Sequence, residues 1–159
     1  MIFVSVGTAN KGFERLLREC DQIAQRTGLV FFAQTGSSAF KPAHMPSQPW
    51  LSREEMQHYY QQASAFIVHG GFGTLSETLK LNKPIFVVPR RLEDGEAVNN
   101  QTDLVAKLHS LGLVYHVEQL TKLEDALTQL ATHQFRPNRL TTNIPTLIQN
   151  YVSQIIRHQ

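Results

Sequence analysis

The chain has 159 residues, a formal net charge of only +2, 42% hydrophobic and 18% charged residues, which fits one ordinary globular domain and excludes a disordered chain or a strongly basic nucleic-acid binder. No apolar run approaches the ~20 residues of a membrane span, and no basic-then-apolar leader opens the sequence. The single Cys20 excludes an internal disulfide and points to a reducing, cytoplasmic compartment.

Strand-like and helix-like segments alternate along the chain. Ile2-Phe3-Val4-Ser5-Val6 reads as a strand ending at Gly7-Thr8. Phe13, Leu16, Leu17, Cys20, Ile23 and Ala24 keep helical spacing, with Gly28 as the stop. Leu29 to Ala33 reads as a buried strand. Residues 34–50, with Gly36, Pro42, Pro46 and Pro49, read as a loop of a length that points to function. Ser52 and Glu55 have capping-box spacing ahead of Met56, Tyr59, Tyr60 and Ala63 on a helix. Ala65 to Val68 is a strand, followed by the glycine-rich turn and a short helix over 75–82. Ile85 to Val88 is an apolar strand closed by Pro89, and residues 90–97 are a charged loop. A helix over 98–111 stops at Gly112, and Leu113 to Val117 is a last strand. Thr121 with Glu124 caps another helix, and an amphipathic helix carries Ile144, Leu147, Ile148, Tyr151, Val152, Ile155 and Ile156.

This alternation implies an α/β fold with a parallel sheet covered on both faces. Ligands of such sheets bind beyond the carboxyl ends of the strands, where the strand order reverses. Four loops should therefore converge there: 7–12, 34–50, 69–74 and 89–100.

The most informative stretch is His69-Gly70-Gly71-Phe72-Gly73-Thr74-Leu75-Ser76-Glu77. Its glycines allow a sharp turn and close approach of a ligand, and the helix that follows offers unpaired N–H groups and a positive dipole end. That is geometry for an anion, most often a phosphate. The pattern matches neither the dinucleotide fingerprint nor the Walker lysine loop. Within it, His69 either hydrogen-bonds a diphosphate oxygen, with a near-neutral pKa that permits a cationic form, or is a buried histidine bonded to a backbone carbonyl. Glu77 either accepts two hydrogen bonds from adjacent hydroxyls such as a ribose offers, roughly 1.5–3 kcal/mol each, or closes a capping box with Thr74 for on the order of 1 kcal/mol.

Other candidates are Asn99, Asn100 and Gln101, which either cap a helix or read sugar hydroxyls, and Arg90 and Arg91, which either pair with phosphate or lie on the surface. Gly7 and Thr8 form a strand-to-helix turn at the same edge. Trp50 either shelters a base or fills core. The remaining histidines show no metal-ligand spacing, and no G-x-S-x-G nucleophile elbow occurs.

Phe3-Val4-Ser5-Val6-Gly7-Thr8, Gln34-Thr35-Gly36-Ser37-Ser38, the 69–77 stretch and Lys83-Pro84-Ile85-Phe86-Val87-Val88-Pro89-Arg90 together resemble the carboxyl-terminal, donor-binding half of family 28 glycosyltransferases. The resemblance covers nearly all of residues 1–159. It implies a single Rossmann-like domain, a parallel sheet of about six strands with helices on both faces, as one half of a GT-B fold. More narrowly, the chain is similar to the small subunit of two-component enzymes, among them the transferase that extends dolichol-linked N-acetylglucosamine and bacterial exopolysaccharide and capsule pairs. In those a membrane-anchored subunit supplies the acceptor-binding half.

The resemblance implies a UDP-sugar donor, a lipid-linked saccharide acceptor, no cofactor or metal, no nucleic acid, and a peripheral place at the inner membrane face through the partner. It assigns the phosphate contact to His69 and the ribose contact to Glu77 as catalytic residues. It places Gly7, Thr8, Ser37, Gly70, Gly71, Phe72, Gly73, Thr74, Arg90, Asn100 and Gln101 around the donor. Where the family often has histidines ahead of this glutamine, the chain has Glu96-Ala97-Val98-Asn99-Asn100-Gln101. A non-catalytic nucleotide-sugar-binding subunit of a transferase complex is the alternative.

Overall fold

A computed structural model describes residues 1–96 and 101–132. Six strands form one sheet: β1 (Ile2–Ser5), β2 (Phe31–Gln34), β3 (Ser47–Gln48), β4 (Ala65–Val68), β5 (Ile85–Val87) and β6 (Tyr115–His116). Their order is β3-β2-β1-β4-β5-β6 and every pairing is parallel. Five helices connect and follow them: α1 (Glu14–Thr27), α2 (Arg53–Gln62), α3 (Phe72–Thr78), α4 (Thr102–Ser110) and α5 (Leu123–Thr132). The chain runs outward from β1 through β2 to β3, then crosses to the other side of β1 for β4. The strand order therefore reverses between β1 and β4, and a crevice opens past their carboxyl ends.

The all-apolar strands are explained by burial on both faces. Successive side chains point to opposite sides. Val4, Ile67 and Phe86 face a core closed by Phe13, Leu16, Leu17, Cys20 and Ile23 of the α1 region and Leu123 and Leu127 of α5. Phe3, Phe66, Ile85 and Val87 face the other core, closed by Tyr60 of α2, Leu75 of α3 and Val105 of α4. The stop at Gly28 is a left-handed C-cap (φ 69°) whose N–H donates to the Ala24 carbonyl at 3.0 Å. The capping box at Ser52 forms in full: the Glu55 N–H donates to Ser52 Oγ (3.1 Å) and the Ser52 N–H to Glu55 Oε2 (2.7 Å).

Several expectations change. Residues 34–50 are not a featureless loop. They fold back along β2 as the edge strand β3, with Ala33 N–H donating to the Pro46 carbonyl, Thr35 to Gln48 and Gly36 to Pro49 (2.9–3.0 Å). Its two exposed polar residues carry no apolar alternation to betray a strand. The outbound half is pinned to α1 by Asp21, whose carboxylate accepts from the His44 N–H at 2.7 Å and lies 3.1 Å from His44 Nδ1.

The helix expected over 75–82 begins earlier, at Phe72, with Gly71 as its N-cap and no side-chain cap bond; it ends in a 3-10 turn over Leu79–Leu81. Thr74 lies inside the first turn, so the Thr74–Glu77 capping box does not exist. Thr121 likewise lies inside a 3-10 turn, Leu120–Lys122, that leads directly into α5, and does not cap it. The last strand contracts from 113–117 to Tyr115–His116. Of the helix expected over 98–111, the described part begins at Thr102; residues 98–100 and the amphipathic segment 144–156 lie outside the described residues.

Candidate functional site

A cleft of about 550 Å³ occupies the switch point. Its floor is Ser5 at the end of β1, Gln34 at the end of β2 and His69 after β4. One wall is Gly7, Thr8 and Ala9, another is Gly73, Thr74 and Glu77 of α3, and the rim is Trp50, Leu51, Met56 and Tyr60. Of the residues assigned from sequence, Gly7, Thr8, His69, Gly73, Thr74 and Glu77 come together here.

A polar network holds the floor. Ser5 Oγ donates to Gln34 Oε1 (2.9 Å), and the Gly7 N–H donates to Ser5 Oγ (3.3 Å). Gln34 Nε2 donates to the carbonyls of Gly7 (3.2 Å) and Pro49 (3.0 Å). One amide thus ties the first turn to the segment that delivers Trp50. Trp50 is 53% exposed on the rim rather than buried in core.

The glycines have separate tasks. A Cβ on Gly7 would strike His69 Cε1, with His69 Nε2 at 2.7 Å, and its φ of 77° disfavours any side chain. A Cβ on Gly71 would strike His69 Nε2, with Cδ2 at 2.8 Å. The imidazole is therefore seated between two glycines. Gly70 faces α4 instead, where a Cβ would meet Gln101 Cβ at 2.8 Å and Val105 Cγ2 at 2.9 Å. Around Gly73 there is nothing within 4 Å. Of the three glycines that follow His69, it is Gly73 alone that leaves its space to a ligand.

His69 is 8% exposed and its Nδ1 has no hydrogen-bond partner. Burial first, then the nearby Arg90 charge, push its pKa down to about 4; the Ser5 carbonyl opposes them without reaching hydrogen-bond geometry at Nδ1. The near-neutral pKa expected from the sequence, which would permit a cationic form, is corrected: near pH 7 the ring is neutral.

Arg90 is also placed differently from its expected phosphate role. It is 3% exposed, and its guanidinium donates to the carbonyls of Val6 (2.8 Å), Lys11 (3.0 Å), Gly12 (2.8 Å) and Glu96 (2.9 Å). It stacks over Phe13 with 4.8 Å to the ring centroid. Arg90 is a tie between the loop after β1 and the loop after β5. The described residues of that second loop do not line the cleft; they border a separate depression of about 350 Å³ with Arg15, His116 and Glu118. Among the described residues, three of the four expected loops therefore converge.

Ser37 is exposed and does not line the cleft, and Phe72, the first residue of α3, is 75% exposed. Gln101 packs under Gly70, and its Oε1 accepts from the Arg90 N–H at 3.3 Å. Asn100 lies outside the described residues. Among the described residues, no three His, Cys, Asp or Glu side chains cluster as a metal set, and no helix is long and apolar enough to cross a membrane.

The sequence reading missed Ser5, Gln34 and Tyr60. Tyr60 and Met56 stand four apart on α2, a spacing that does show they share a face. The Tyr60 hydroxyl donates to Glu77 Oε2 at 3.3 Å, so the carboxylate freed from capping has a partner in the cleft.

A parallel α/β sheet with a glycine-walled crevice at its switch point has the cleft where open α/β sheets bind their ligands. The model of the glycosyltransferase family 28 C-terminal domain matches residues 1–155, and the chain belongs to that family. No curated protein matches the sequence. Among solved structures, the kitacinnamycin glycotransferase matches with a TM-score of 0.65 at 20% identity, over 84% of this chain and 35% of its own. Acinetobacter baumannii MurG matches with a TM-score of 0.59 at 19% identity, over 84% of this chain and 42% of its own. ALG13 matches with a TM-score of 0.62 at 18% identity, over 91% of both chains. The chain thus spans a third to two fifths of the first two, and shares with all three one α/β domain of the GT-B type.

Proposed function

We propose that the chain is the nucleotide-sugar-binding, catalytic subunit of a two-component glycosyltransferase. It would move a hexose-type sugar from a UDP-sugar to a lipid-linked saccharide, with a membrane-anchored partner supplying the acceptor site. The observation that carries this reading is the meeting of His69, Glu77 and the open face of Gly73 in one cleft at the switch point. The family assignment supports sugar transfer, and the mutual coverage with ALG13 is consistent with a donor half that works beside a second chain.

In this reading the diphosphate lies against Gly73 and the first turn of α3. Charge grows on its β-phosphate as the glycosidic bond breaks. Preorganised N–H groups there stabilise that charge more in the transition state than in the ground state. The helix end contributes at most ~2 kcal/mol, so the imidazole of His69 adds an N–H donor. Being neutral, it donates without a buried cation having to form. Glu77 accepts from the ribose hydroxyls. The base that activates the acceptor comes from the partner, and no metal takes part.

The test is turnover by the co-purified pair. Glu77→Ala should remove at least about 90% of donor-dependent activity, from the loss of charge-assisted bonds, and chelator should leave the wild-type rate unchanged. Unchanged turnover by Glu77→Ala would assign the donor site to another chain and leave this one a regulatory binding module. Absence of UDP binding by the chain would remove both.

A further inference from the structure

We infer that Tyr60 is the positioning residue that makes the cleft select ribonucleotides over 2′-deoxyribonucleotides, by holding the Glu77 carboxylate in the attitude that meets two neighbouring hydroxyls. The inference rests on the donor-site reading above and adds to it a determinant of selectivity.

Glu77 sits on α3 with its side chain exposed to the cleft, and Tyr60 is its one hydrogen-bond partner among the described residues. A glutamate so exposed has three rotatable bonds and would otherwise sample many orientations. Tyr60 has no such freedom. It is 7% exposed, and its ring stands edge-on to Phe3 and to Phe66, each at 5.5 Å between centroids and 88° between planes. The backbone beneath it is held too, because Lys83 Nζ donates to the carbonyls of Tyr60 (2.9 Å) and Gln61 (2.7 Å) at the end of α2. The hydroxyl is thus a fixed donor, and it meets only Oε2. Burial first, then the Glu77 charge, push the phenol's pKa above its ordinary value, so it remains the donor at every working pH.

An ionised carboxylate has about four lone-pair directions, of which the phenol takes one. Oε1 and the second direction on Oε2 remain, side by side, in a plane the phenol sets. That arrangement fits a vicinal diol. A sugar lacking the 2′-hydroxyl leaves one acceptor covered by ligand and unpaired, which sites built for a hydroxyl penalise. Without the phenol, the carboxylate is free to rotate and satisfy itself with water or with a single hydroxyl, and the penalty fades.

The experiment is a nuclear magnetic resonance shift titration of the full chain with UDP and with 2′-deoxy-UDP, for wild type, Tyr60→Phe, Glu77→Gln and the double variant. Base and diphosphate are common to both ligands, so changes in how they bind cancel in the ratio of affinities. Wild type should prefer UDP by about tenfold or more, the scale of one charge-assisted hydrogen bond. Tyr60→Phe keeps the packed ring and should bring the preference to within about threefold, and the double variant should match Glu77→Gln alone, because the two residues act as a unit. If Tyr60→Phe keeps the full preference while Glu77→Gln loses it, Tyr60 is packing only and the inference falls with the donor site intact. If wild type binds neither nucleotide, the donor-site reading itself fails.

Discussion

Acidification tests the state of His69 directly. Its pKa is about 4 in the folded protein against 6.5 in an unconstrained chain. Between those values the unfolded chain binds a proton that the folded one refuses. Stability contributed by the neutral ring is therefore complete above about pH 6.5 and drains away as pH falls toward 4. The difference of about 2.5 pH units corresponds to about 3 kcal/mol in total, of which about 2 kcal/mol is lost between pH 7 and pH 5. The measurement is urea unfolding at both pH values for wild type and for His69→Gln, which cannot titrate. Every other ionisable group is common to both proteins and cancels in the comparison. Wild type should lose about 2 kcal/mol more than the variant over this interval. Equal losses would mean that His69 is not held neutral by burial between Gly7 and Gly71 beside Arg90, and the proposed role of the imidazole as a neutral donor would go with it.

The glycines should separate stability from binding. Gly73→Ala, with nothing within 4 Å, should leave stability unchanged or raise it by up to about 1 kcal/mol as a helix substitution, yet weaken UDP binding at least about tenfold; equal binding would place the diphosphate elsewhere. Gly71→Ala strikes the His69 ring and should instead lower the melting temperature. Arg90→Met strands the carbonyls of Val6, Lys11, Gly12 and Glu96 and should cost at least about 3 kcal/mol in urea unfolding, whereas a surface phosphate contact would cost little. Cys20 is wholly buried and its thiol pKa is raised, by burial first and then by Glu19 and Asp21, so a thiol reagent should modify it only at the rate of unfolding.

Local rules of sequence sufficed wherever local chemistry decides. Apolar runs too continuous for a one-sided sheet meant strands covered on both faces, and the sheet has them. Gly28 ended its helix in the left-handed conformation that glycine adopts without strain. The two stretches with capping-box spacing show where that logic stops. Ser52-x-x-Glu55 forms the box, and Thr74-x-x-Glu77 does not, though the letters are equivalent. The second helix is fed directly by β4 through Gly70 and Gly71, so it starts two residues before Thr74, and its glutamate is left to the cleft and to Tyr60. No window of sequence contains that result, because the partner comes from another helix.

The same division holds for charge and burial. The sequence by itself determined the alternating α/β order, the edge of the sheet where the cleft opens, and the stretch from His69 to Glu77 as part of its lining, because hydrophobic period and glycine placement are properties of neighbours along the chain. Only the tertiary structure decided that His69 is neutral, that Arg90 ties loops together rather than facing solvent, that Trp50 stands at a rim, and that residues 46–49 pair with β2. Each of those depends on what lies across the sheet from the residue. Desolvation, carbonyl satisfaction and strand pairing are set by contacts between segments 13 to 84 residues apart, such as Ala33 with Pro46 and Arg90 with Val6.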